Sequence, residues 1–239
     1  MLESDISILE IQTKSKDDGS RHESDLQNMS LTVAEHDIVL IQSDLRNKAT
    51  WLLDMAQGLT HSDHGSVSFM GVKWGTLTSY DDCRLRSRIG RVYDQQIWIS
   101  NLDVYENIAL SELHHTNRCE TEIREEIVRL AERMSLRELL TKRPADLHEN
   151  DLQLAQWVRA FIGSHKLILM SRPEAGVSSE DIQTLIDIVF SAVSEGSGVI
   201  WTTTSDERIW RHPRLNAVRR FRILNEQLIS VMEGTGEDL

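Results

Sequence analysis

In the run Asp37-Ile38-Val39-Leu40-Ile41 the four residues after Asp37 are apolar at successive positions, and a helical stretch from Lys48 to Gly58 follows it closely, with Trp51, Leu52, Met55 and Ala56 on one face. A strand with no polar alternation is buried on both faces, which requires a sheet covered by helices on either side. The same alternation recurs downstream. A helix is written between Thr121 and Leu140, carried by Ile123, Ile127, Leu130, Met134 and Leu139. Another covers Asn150 to Gly163, with Leu154, Trp157, Val158 and Phe161 at i, i+3, i+4 and i+7, and the strand Lys166 to Met170 comes directly after it. Ser178 with Asp181 three residues on is an N-cap pattern that opens a helix to Ser194, ended by Gly196 and Gly198. Val199 to Thr203 then reads as a further buried strand. Strands interleaved with helices in this order predict an α/β fold with a mostly parallel central sheet.

The flanks are different in kind. Ile6–Ile11, Met29–Val33 and Ser66–Met70 are short strands around a polar loop from Lys14 to Asn28, and Arg220 to Met232 alternates as a hairpin turned at Asn225-Glu226-Gln227. With 239 residues, of which 40% are apolar, the chain is long enough to bury about 70% of its unfolded surface in one large domain. A net charge of -12 opposes binding to nucleic acid or to anionic lipid. The apolar run Leu167 to Met170 is far short of the roughly 20 residues that span a bilayer. The N-terminus carries no basic and apolar secretory signal, so a cytoplasmic location is expected. Cys83 and Cys119 are read as two ordinary thiols in a reducing compartment.

A buried strand, a turn ending in Lys48-Ala49-Thr50 and an immediate helix form the skeleton of a phosphate-binding P-loop. Alone it is weak. It is joined by Gly90-Arg91-Val92-Tyr93-Asp94-Gln95, by Asn101-Leu102-Asp103-Val104-Tyr105-Glu106-Asn107-Ile108-Ala109-Leu110, and by Arg143-Pro144-Ala145-Asp146-Leu147 ahead of a helix with Arg159-Ala160. With these phrases in this order, nearly the whole chain resembles the ATP-binding subunits of ABC transporters. The resemblance implies one ABC ATPase-like domain over 1–239, with an antiparallel β subdomain and a helical subdomain at approximately 95–160. It also implies a dimer, with itself or with a related ATPase, and a membrane-embedded partner subunit that would hold the chain at the inner face of the cell membrane.

The resemblance fails at the residues that do the chemistry. The two P-loop glycine positions fall on Gln42 and Asn47 and the metal-binding hydroxyl on Ala49, while Asp44 adds a negative charge to a loop that should wrap a polyanion. Only Lys48 and Thr50 remain as vestigial nucleotide contacts, and Lys48 is read as a leftover exposed lysine. The strand-end carboxylate pair falls on Ser171 and Arg172, the metal-sensing glutamine on Asp94 and the switch histidine on Thr204. The adenine-stacking aromatic has no counterpart in Lys16-Asp17-Asp18-Gly19, and the dimer-facing Asp falls on Ser178. The signature Ser and glycines fall on His148-Glu149-Asn150-Asp151, where the carboxylates of Glu149 and Asp151 already neutralise the helix N-terminus.

The expectation is therefore a pseudo-ATPase with no cofactor, ATP and Mg²⁺ entering only if residual binding survives. Two alternatives stand beside it: hydrolysis with Glu174 or Asp94 as substitute carboxylates, and a soluble regulatory protein detached from transport. By the same resemblance Gln95, Ile97, Trp98 and Ile99 lie where a helix of the membrane subunit docks. Trp51, Trp157 and Trp201, in strongly periodic or β-like runs, are read as core.

Overall fold

A computed structural model describes residues 7–14, 26, 28–61, 65–204 and 206–231. The polar loop from Lys14 to Asn28, including residues 16–19, lies largely outside the described residues. In chain order the elements are β1 (Ser7–Thr13), β2 (Ser30–Ala34), β3 (Ile38–Gln42), α1 (Arg46–Ala56), β4 (Gly65–Phe69), β5 (Val72–Lys73), α2 (Ser79–Arg86) and β6 (Ile89–Val92). They continue with α3 (Val104–His115), α4 (Glu120–Arg133), α5 (Glu149–Phe161), β7 (Leu167–Ser171), α6 (Ser179–Ser194), β8 (Gly198–Thr203), α7 (Glu207–Trp210), β9 (Arg219–Leu224) and β10 (Gln227–Ser230).

Two sheets result. The six-stranded one has the order β10-β9-β3-β8-β7-β6, parallel from β9 to β6, with β10 antiparallel at one edge. The four-stranded one, β2-β1-β4-β5, is antiparallel throughout. The fold is α/β, with a mostly parallel central sheet, an antiparallel sheet beside it and helices around both. Alternate residues of the central strands divide the core. Leu40, Val92, Ile168 and Trp201 join α3 to α6 on one side, and Val39, Ile41, Leu169 and Ile200 join α1 and the antiparallel sheet on the other. Both faces of β7 and β8 are fully buried, as their continuous apolar runs require. Trp157 and Trp201 are completely buried, whereas Trp51 stays partly exposed at the rim of a cavity.

Helix ends explain most departures from the periodic pattern. The apolar stripe beginning at Ile123 does not continue as helix to Leu140. Ser135 takes a left-handed φ of 56°, the Leu136 N–H bonds the Ala131 carbonyl at 2.8 Å and the Ser135 N–H bonds Glu132 at 3.2 Å, which closes α4 as a Schellman motif. Met134, Leu136 and Leu140 are buried all the same, beyond the helix. At α6 the N-cap pattern forms a full capping box between Ser178 and Asp181, and Gly196 at φ 102° closes the other end. The hairpin turns over Asn225 and Glu226 alone, with Asn225 at φ 54° and Gln227 already paired with Leu224. Cys83 and Cys119 are both free and exposed. Among the described residues no helix is long and apolar enough to cross a membrane.

Candidate functional site

In a parallel sheet, ligands bind beyond the carboxyl ends of the strands. Here those ends are Gln42, which pairs with Thr203, and Ser171, which pairs with Thr202, with Val92 opposite Met170 at the edge. The loop from β3 to α1 is only Ser43-Asp44-Leu45, and none of residues 42–49 has the positive φ that lets successive N–H groups curl around an anion. Ser43 turns the loop on itself, its Oγ accepting the Leu45 N–H at 3.2 Å, and the Asn47 Oδ1 accepts the Lys48 N–H at 2.9 Å. A side chain of the helix thus takes one of the first-turn N–H groups that a phosphate would use.

Lys48 is not exposed. It retains 7% of its surface, and its Nζ donates to the backbone carbonyl of Asn225 in the β9–β10 turn. The correction has a physical cause: β9 is the parallel neighbour of β3, so the hairpin turn stands directly beside the start of α1. Its left-handed Asn225 offers a carbonyl to the ammonium.

Across the strand ends, Arg172 and Asp94 form an ion pair, with side chains 16% and 15% exposed. Arg172 follows β7 directly at φ 45°, its N–H bonded to the Thr202 carbonyl at 2.8 Å, so the chain turns sharply there. Buried glutamines tie the segments that carry the two charges. Gln156 accepts the Tyr93 N–H at 3.2 Å and donates to Gln153 at 3.2 Å, and Gln153 donates to the Pro173 carbonyl at 3.1 Å. The sequence reading missed these two residues. The only signal was a pair of amides on the apolar side of α5, where Gln153 and Gln156 are both buried.

Glu174 is 2% exposed. Its carboxylate accepts the Trp201 indole N–H at 3.0 Å and the Thr203 hydroxyl at 2.5 Å. Burial pushes its pKa above the ordinary 4.5, against the pull of Thr203, its own N–H and Trp201. The unfolded chain therefore ionises first as pH rises, and stability falls from about pH 4.5 upward through the raised value. Glu174→Gln should leave the fold intact and raise the melting temperature, by a margin that grows from pH 5 to pH 8. A variant that melts lower at pH 8 would show that the buried charge is favourable.

The remaining candidates are spread around this centre. Thr204 follows β8 and is partly buried. Thr50, Trp51, Asp94 and Gln95 line a cavity of about 490 Å³ with Arg46 and Asn47. His148 is the N-cap residue of α5 without a side-chain cap, Glu149 and Asp151 lie in the first turn, and Gln96 donates to the Glu149 carbonyl at 2.8 Å. Ser178 is committed to capping α6. Among the described residues no group of three or more His, Cys, Asp or Glu side chains is placed to hold a metal ion.

A larger groove, about 980 Å³, runs along the β6 edge of the sheet between α2 and α3. Ile97 and Ile99 line it, 54% and 43% exposed. The buried amide of Asn107 holds that strip, accepting the Ile99 N–H at 2.8 Å and donating to the Ile99 carbonyl at 3.1 Å. Gln95 and Trp98 are placed elsewhere. Gln95 faces the smaller cavity, and Trp98 is partly buried against the core with the Arg159 guanidinium 4.6 Å above its ring.

Comparison with solved structures finds the same architecture. The dimeric bacterial ABC transporter cassette MJ0796 superposes with a TM-score of 0.80 at 18% identity, over 92% of this chain and 96% of that one. A nucleotide-free ATP-binding cassette gives 0.70 at 20% identity, over 93% and 90%. In sequence, the lipoprotein-releasing system ATP-binding protein LolD of Buchnera aphidicola is 23% identical over 166 residues, 69% of this chain and 72% of LolD. The glutamate/aspartate import ATP-binding protein GltL of Escherichia coli K12 is 24% identical over 178 residues, 74% and 73% of the two chains. The putative ABC transporter ATP-binding protein MG467 of Mycoplasma genitalium is 26% identical over 217 residues, 89% and 68%. The chain is similar in sequence and in fold to ABC transporter ATP-binding subunits. No family model matches it. In this chain Asp94, Arg172 and Thr204 follow the carboxyl ends of β6, β7 and β8, and Lys48 lies in the first turn of α1.

Proposed function

We propose that this chain is a non-hydrolytic member of the ABC ATP-binding subunits, which dimerises and supplies a docking and regulatory surface to a membrane transporter complex. The observation that carries the reading is the Arg172–Asp94 pair. A guanidinium lies at the end of β7 where phosphoryl transfer needs carboxylates for a metal ion and a water, and it is already neutralised by the side chain at the metal-sensing position. Lys48 is likewise engaged by the chain itself, at Asn225.

The residues present do not fit Mg-ATP. Ala49 has no hydroxyl, Ser171 no carboxylate, and the positive charge of Arg172 opposes a metal ion at the strand end. Neither substitute carboxylate is free, because Asp94 is paired with Arg172 and Glu174 is enclosed by Trp201 and Thr203. Each lost electrostatic group in such a centre costs about 2.7–4 kcal/mol in the transition state. LolD and GltL are named for release and import systems, and MJ0796 is a dimer, which supports the assembly part of the reading.

Phosphate release measured with millimolar Mg-ATP tests the catalytic part. Wild type, Lys48→Ala and Glu174→Gln should all match the no-protein background. Turnover that either substitution abolishes would overturn the reading.

A further inference from the structure

β10 is the last strand of the central sheet, at the edge opposite β6. The Val231 N–H donates to the Arg220 carbonyl at 2.8 Å, and the register pairs Ile229 with Arg222 and Gln227 with Leu224. Hydrogen bonding alternates along an antiparallel pair, so Leu228 and Ser230 turn their N–H and C=O groups to the open side. Among the described residues no strand covers them. Sheet edges are ordinarily blunted by charge, proline or a bulge. Gln227-Leu228-Ile229-Ser230 carries no charge and no proline, and its register with β9 is unbroken.

One face of this edge is cationic in a chain of net charge -12. Arg208, Arg211, Arg214 and Arg219 are each paired with a carboxylate. Among the described residues Arg220 and Arg222, which share a face of β9, meet none. Both guanidiniums lie over the ring of Trp210, at 5.2 and 5.3 Å, and the Arg220 Nε is buried with no hydrogen-bond partner. Paired residues of a ladder stand side by side, so Ile229, 42% exposed, lies next to Arg222, and Leu224, 51% exposed, follows on the same face. The hairpin's one carboxylate, Glu226, is in the turn.

We propose that β10 is a β-augmentation site, which adds an extended acidic segment of a partner protein to the sheet, with a carboxylate of that segment over Arg222 and apolar side chains on Ile229. A second copy of β10 supplies the same hydrogen bonds but presents Arg222 again instead of a carboxylate, so charge complementarity selects an acidic partner. The site lies at the far edge of the sheet from the β6 groove and does not depend on docking there.

Random peptides displayed on phage are selected against the full chain, with Ser230→Pro as counter-selection. Proline there removes an outward N–H and leaves the bonds to β9 in place. The recovered peptides should be rich in Val, Ile or Thr and carry Asp or Glu. Synthesised, they should bind Ser230→Pro about tenfold or more weakly than wild type, and should slow hydrogen exchange at the Leu228 and Ser230 amides. Changing the acid to its amide should cost about tenfold in wild type and nothing in Arg222→Met. Circular dichroism checks the fold of both variants, and exchange in wild type still decides if Ser230→Pro does not fold. Recovery of no peptide that Ser230→Pro rejects, or of peptides that leave both amides unprotected, would overturn augmentation. Equal binding of acid and amide forms would overturn the acidic assignment. Protection that rises with protein concentration in the absence of peptide would give the edge to a second copy, and protection lost on removing residues 232–239 would give it to that segment. Either result would overturn the proposal.

Discussion

Trp201→Ala should destabilise the protein by about 3–5 kcal/mol, the cost of emptying a large aromatic site in a packed core. Trp201 is 0% exposed on β8, a strand with parallel neighbours on both sides, so the space it leaves cannot be refilled by moving a surface element. The indole also supplies one of the two side-chain donors that hold Glu174. Trp201→Phe keeps most of the volume but leaves that carboxyl short of a donor, and should cost about 1–3 kcal/mol. Urea unfolding of both variants measures the difference. Costs that are equal, or below about 1 kcal/mol for alanine, would show that Trp201 neither fills the core nor fixes Glu174.

Acidification should remove a comparable amount of stability through His165. This histidine is 8% exposed and its Nδ1 has no partner. Burial lowers its pKa from 6.5 to about 4, despite the opposing effect of Glu126. A depressed histidine pKa means that the unfolded chain takes up the proton first as pH falls. Stability is therefore complete above pH 6.5 and drains between 6.5 and about 4. The share lost between pH 7.5 and 5 is about 2 kcal/mol. Glu174 acts in the opposite direction over the same range, so the share of His165 is read as a difference: between pH 7.5 and 5, urea unfolding should show about 2 kcal/mol more loss in wild type than in His165→Gln. An identical pH dependence in the two proteins would place the acid sensitivity in other groups.

The central strands were legible because burial on both faces leaves no polar positions, as in β3, β7 and β8. The start of α6 was equally plain, since its capping box is local chemistry. By contrast, α2 has no buried residue, so it leaves no apolar stripe to read, only the Thr78–Asp81 cap. The overrun at α4 arose because Met134 at the helix end, and Leu136 and Leu140 after Ser135 has reversed the chain, all stay in the core, so hydrophobic period outlasted helix. At the site the sequence shows which residue types stand at the strand ends, but not how they are used. Lys48 meets a carbonyl 177 positions away, and Arg172 meets Asp94 across 78. Such contacts follow from strand order, which single-sequence patterns do not specify. That β10 ends the sheet with an open edge is invisible for the same reason.

Calorimetric titration of the full chain with Mg-ATP tests the central claim most directly. If the lysine and the strand-end charges are held by the protein's own carbonyl and carboxylate, wild type should show no heat of binding at micromolar nucleotide, and Lys48→Ala should behave identically. Micromolar binding in wild type that vanishes in Lys48→Ala would mean that the ammonium leaves Asn225 for a phosphate, and that the site is not closed by its own side chains.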